Sequence, residues 1–76
     1  MTLPRKYGPA YEALARRLRE AREAAGLTQA EAAKRLGRQQ SFVSKCESGE
    51  RRVDLIELRA MADLYGKSLA YFEAED

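Results

Sequence analysis

Seventy-six residues make one small domain, whose core is close to the smallest that folds without staples. One cysteine and no histidine exclude an intramolecular disulfide and a cysteine-based zinc site. Net charge is +2 but unevenly spread: residues 1–53 carry twelve Lys/Arg against six Asp/Glu (+6), residues 54–76 two against six (−4). A basic front and an acidic back suit a protein that meets a polyanion with one face.

Residues 1–8 (MTLPRKYG) read as a flexible N-terminal arm, and 9–76 as a single domain. Gly8 and Pro9 suit a helix start, and a long helix is expected to run to about Ala25 with Leu14, Leu18 and Ala21 facing inward. Gly26 ends it. Thr28 and Glu31 form a capping box for a short helix, with Ala32, Ala33 and Leu36 on one face and Gly37 as its stop. A second short helix begins near Gln40, with Val43 and Cys46 as its inner stripe. Residues 48–53 (SGERRV) form a loop. Asp54 and Glu57 cap a helix to about Tyr65, whose apolar face is Leu55, Leu58, Met61, Ala62 and Tyr65. Gly66 stops it, and Ser68 caps a last turn holding Leu69 and Phe72. Nothing alternates as a strand would. The longest apolar run is four residues, Leu69 to Phe72, so neither a membrane span nor a signal segment is expected. The fold class is all-α with five helices, and the protein is expected in the cytoplasm, associated with the nucleoid.

Residues 29–47 carry the chemistry. A helix, a short turn and a second helix make a helix-turn-helix, whose second helix enters the DNA major groove. Gln40, Ser41, Ser44 and Lys45 lie opposite the inner stripe of that helix. A glutamine amide can bond both N6 and N7 of adenine, and a lysine can reach guanine O6 and N7 or a phosphate. Gln40, Ser41 and Lys45 are therefore the candidate base contacts, with Ser44 the weaker fourth. Gln29 begins the first helix of the motif, where its N–H and side chain can hold a phosphate. Arg38 and Gln39 before the second helix, and Arg51 and Arg52 after it, fall over the phosphate walls of the groove. Thr28 and Ser48 join this phosphate set, and Arg5 and Lys6 add two cations in the arm. Phe42 reads as packing on the helix flank in preference to a thymine methyl. Cys46 reads as a small buried hydrophobe, with a redox role as the alternative.

Arg22, Gly26-Leu27-Thr28-Gln29, Ala33, Leu36-Gly37, Ser44, Glu47-Ser48-Gly49, Ala62 and Gly66 together resemble the helix-turn-helix of the lambda-repressor/Cro-like superfamily, the XRE family. The resemblance runs from about Leu14 to about Phe72. Gln39 departs from it where the family usually has a Ser or Thr cap, and Cys46 where it usually has Ile, Leu or Tyr. The resemblance implies a compact five-helix lambda-repressor-like domain with base contacts at Gln40, Ser41 and Lys45. It also implies a structural ion pair between Arg22 and Glu47, and a Gln29 that braces Gln40. C-terminal helices serve dimers in related repressors, which makes Ile56, Tyr71 and Phe72 candidate dimer contacts.

The function expected is sequence-specific double-stranded DNA binding by a transcriptional regulator, a repressor in the first instance and a homodimer. An antitoxin or restriction–modification controller would use the same DNA chemistry. A protein–protein adaptor on the same scaffold is the alternative of another class, and the amide-rich, basic second helix argues against it. An enzyme fits poorly: there is no histidine, no glycine-rich phosphate loop and no nucleophile paired with a base. No cofactor, metal, small-molecule ligand or membrane partner is implied.

Overall fold

In a computed structural model, which describes residues 8–73, the chain forms α1 (Pro9–Ala24), α2 (Gln29–Leu36), α3 (Gln40–Ser48), α4 (Leu55–Tyr65) and α5 (Leu69–Glu73). The expected arm falls almost wholly outside the described residues, Arg5 and Lys6 included. Among the described residues no helix is long and apolar enough to cross a membrane.

Local chemistry sets the boundaries. Pro9 opens α1, where its missing N–H costs nothing because helix starts leave such groups unbonded. Thr28 Oγ1 accepts the Glu31 N–H at 3.1 Å, and the Glu31 carboxylate accepts the Thr28 N–H at 2.9 Å, so both halves of the capping box are formed at α2. Asp54 and Glu57 repeat that box at α4, at 2.8 and 3.1 Å. Gly37 ends α2 at φ 70°, a left-handed conformation that costs a residue with a Cβ. The Arg38 N–H then turns back to the Ala33 carbonyl at 2.9 Å. That closure aims the chain into α3 after only three residues. Gln39, one of the two departures from the pattern the sequence resembles, caps α3 without a side-chain hydrogen bond; the Phe42 N–H bonds the Gln39 carbonyl instead, at 3.0 Å.

The core gathers around α3, which packs on both α2 and α1. Leu18, Ala21, Ala32, Ala33, Phe42, Val43, Cys46, Met61, Ala62, Tyr65 and Phe72 form one buried cluster. Alanines at 32 and 33 leave little side chain between α2 and α3, so the two helices of the motif are held as a unit. Phe42 packs on the flank as expected.

Two expectations are corrected. Burial along α4 rises from Leu55, 59% exposed, to Met61 at 1%, so the first turn projects beyond the core and Leu55 does not belong to the inner face. Phe72 is only 5% exposed: α5 folds back on α1 and α4, and the ring is consumed by the monomer core, where Tyr71 meets it edge-on at 4.9 Å. That removes Phe72 from the candidate dimer surface. Ile56, 72% exposed, and the half-buried Tyr71 stay on it.

Cys46 is buried, and burial pushes its thiol up to about 11, so almost no thiolate exists at neutral pH. Two outcomes follow: native protein should resist alkylation at pH 7.5 until denaturant is added, and Cys46→Val should cost less than about 1.5 kcal/mol in urea denaturation.

Candidate nucleic-acid interface

The Val43–Cys46 stripe faces α1 and α2, which turns Gln40, Ser41 and Lys45 outward; all three are exposed, and Ser44 is half-buried at the edge. Ser41 and Lys45 open onto a groove of about 290 Å³ whose other walls are Arg38, Gln39, Phe42 and Arg51. The structure thus places candidate base readers and candidate phosphate contacts around one concavity. Gln40 lies outside its lining, at the α3 N-terminus, and Thr28, Gln29, Ser48 and Arg52 also lie outside it.

What fixes α3 against the domain is a buried ion pair. Arg22 Nε donates to Glu47 Oε2 at 2.7 Å and Nη2 donates to Oε1 at 3.0 Å. The remaining Nη1 donates to the Leu27 carbonyl at 2.7 Å. One guanidinium therefore holds the end of α1, the turn before α2 and the end of α3. The two side chains are 9% and 4% exposed, so the pair sits largely out of water. The Glu47 hydrogen bond drives the Arg22 pKa further upward, against the opposing effect of burial. Buried beside them in the core, Tyr65 has its hydroxyl pushed up to about 12, mainly by desolvation.

Gln29 behaves differently from the expectation. Its side-chain amide donates to Glu47 Oε1 at 3.2 Å and does not brace Gln40. The reason is charge: an ionised carboxylate with a lone pair to spare outcompetes a neutral amide as acceptor. Gln29 is thereby coupled to the ion pair from the first turn of α2.

A second cluster walls the groove. Glu57 Oε1 accepts from Arg51 Nη1 at 2.8 Å and from the Asp54 N–H at 3.1 Å. Glu57 Oε2 accepts from Arg51 Nη2 at 2.9 Å and from Arg38 Nη1 at 3.3 Å. Both arginines also lie over the Phe42 ring, with Cζ 3.8 Å (Arg38) and 4.8 Å (Arg51) from its centroid. Arg51 chiefly, then the Asp54 N–H and Arg38, hold the Glu57 carboxyl below the usual carboxylate range. Its stabilising contribution is therefore complete above the unfolded value of about 4.3 and is lost as pH falls through the lowered folded value.

Sequence reasoning missed the role of Glu57 beyond its cap, because its arginine partners come from the turn before α3 and the loop after it. It also missed Tyr11. The Val53 N–H donates to the Tyr11 hydroxyl at 2.7 Å, and that hydroxyl donates to the Val53 carbonyl at 3.2 Å. This pairing secures the arginine-bearing loop to α1. A tyrosine at the outer edge of a helix carries no signal for a bond to a backbone 42 residues away.

Residues 13–71 match the family described as Helix-turn-helix domain. An XRE-family like protein from Pseudomonas syringae pv. tomato str. DC3000 is 50% identical, covering 84% of this chain and 83% of that one, with a TM-score of 0.75. The chain belongs to the XRE-type helix-turn-helix family. The clp gene regulator ClgR from C. glutamicum is 27% identical, over 93% of this chain and 88% of that one, with a TM-score of 0.80. None of the curated proteins matches. The XRE-type chain is thus a helix-turn-helix DNA-binding domain of the transcription-regulator kind. Its Arg22–Glu47 pair meets as the family pattern implies.

Removing one partner of a buried pair leaves the other charge uncompensated, which costs about 3–5 kcal/mol. Arg22→Ala should therefore lower the denaturation midpoint sharply in the absence of any DNA. An unchanged midpoint would mean that the two charges do not meet in solution.

Proposed function

We propose that this chain is a sequence-specific regulator that binds double-stranded DNA as a homodimer and represses transcription, with α3 inserted in the major groove. The observation that carries the reading is the outward face of α3: Gln40, Ser41 and Lys45 are exposed beside a groove walled by arginines and an amide. In this reading Gln40 bonds an adenine edge, and Ser41 and Lys45 read neighbouring bases with Ser44 at the margin. Thr28, Gln29, Arg38, Gln39, Ser48 and Arg52 hold the flanking phosphates. The uncapped start of α3 supports a phosphate near Gln39, since backbone N–H groups at a helix N-terminus favour an anion. A regulator of this kind works in the cytoplasm, on the nucleoid. Exposed Ile56, with Leu55 beside it and Tyr71, supplies the apolar surface for the dimer.

Selection of bound sequences from random duplex DNA tests the reading directly. A dimer should enrich a two-fold motif with half-sites roughly 34 Å apart. On that motif Gln40→Ala should cost about 1–3 kcal/mol and relax preference at one position per half-site. Arg52→Ala should weaken all duplexes about equally and make the log–log salt slope shallower by about 0.9. Gln29→Ala should weaken all duplexes in the manner of Arg52→Ala, because its side chain bonds Glu47 and not Gln40. If Gln40→Ala weakened every duplex alike, α3 would not be the reading helix. No enrichment at low salt would point to an adaptor instead.

A further inference from the structure

Arg38 and Arg51 line the same groove and share one carboxylate, yet their hydrogen bonding differs. Arg51 spends three N–H groups inside the protein: two on Glu57 at 2.8 and 2.9 Å, and one on the Arg52 carbonyl at 2.7 Å. Arg38 spends one, on Glu57 at 3.3 Å, and keeps the rest of its five-donor fork. The bidentate geometry pairs Glu57 with Arg51, so their charges cancel and the positive charge left over at this corner is that of Arg38. Glu57 itself is held still, because both of its carboxylate oxygens are bonded and its side chain is 13% exposed. The flat guanidinium of Arg38 is thus fixed from two sides, by the Phe42 face at 3.8 Å and by Glu57 Oε2, on the rim it shares with Ser41 and Lys45.

Resting on the DNA-binding reading above, we propose that Arg38 is the phosphate anchor on this side of α3, that Glu57 positions it, and that Arg51 acts on Glu57 and not on DNA. A carboxylate this close to a phosphate would repel it and hold Arg38 back. Arg51 removes that repulsion by pairing with the carboxylate, which lets Glu57 orient Arg38 without opposing the anion. Arg51 and Glu57 are in these terms positioning residues.

The test is a set of glutamine variants, measured by affinity for a selected duplex and by its salt dependence. Glutamine at 57 keeps the acceptor that the capping box needs, so the fold is preserved; circular dichroism checks each variant. Arg38→Gln should weaken binding severalfold and make the log–log salt slope shallower by about 0.9. Arg51→Gln should do the same, because the unmasked Glu57 captures Arg38. The double variant R51Q/E57Q should return the salt slope to near wild type and recover most of the affinity, short only of the Arg38 contact that Glu57 Oε2 makes and the glutamine amide does not. A matched-charge control, R51Q/D63N, alters an exposed carboxylate further along α4 and should not rescue. In the rescued background Arg38→Gln should again cost a full phosphate contact. Failure of E57Q to rescue, or equal rescue by D63N, would overturn the inference and leave DNA binding standing. Absence of duplex binding by the wild type would overturn both.

Discussion

The domain is organised around one buried guanidinium. Arg22 reaches the end of α1, the turn before α2 and the end of α3 at once, through two bonds to Glu47 and one to the Leu27 carbonyl. A buried ion pair is weak evidence for net stability, because desolvation offsets much of its attraction. Its value here is geometric. A fork bonded on all three nitrogens permits one orientation of α3 relative to α1, and a recognition helix is useful only if its orientation is fixed. Gln29 extends the same unit into α2, so the candidate phosphate contact at the α2 start and the candidate reading face on α3 move together.

Around that tie the small core does ordinary work. Leu18, Val43, Cys46 and Met61 fill the centre, and the alanine pair at 32 and 33 brings α2 close to α3. The loop after α3 has no helix of its own to support it. Tyr11 bonds its backbone from α1, while Glu57 holds Arg51 from α4. Side chains from α1 and α4 thus hold the arginine-bearing loop beside Ser41 and Lys45 in shape. Such preorganisation reduces the ordering cost at the moment of binding.

Much of this was legible in the sequence because the signals are local. Capping boxes at Thr28/Glu31 and Asp54/Glu57, glycine stops and the Val43–Cys46 stripe each depend on residues within one or two turns, and the helices begin and end close to where those signals place them. Contacts between distant segments were legible only where a family pattern supplied them, as for Arg22 and Glu47. Tyr11 with Val53, and Glu57 with Arg38 and Arg51, depend on how the loops come to rest, which periodicity does not encode. Phe72 was misplaced for a related reason: an apolar residue near a chain end looks unpartnered until α5 is seen folding back on α1. Gln29 was drawn to a charge that only the folded structure places within reach.

The central claim is that one face, made by the α2 start, the outer side of α3 and the loop after it, meets the DNA. Amide chemical-shift mapping on a labelled protein titrated with duplex tests it most directly. The account predicts large shifts at residues 28–29, 38–45 and 51–52, with little change along the outer surface of α1 or across 63–73. Shifts concentrated on α5 or the outer face of α1, with α3 silent, would contradict it.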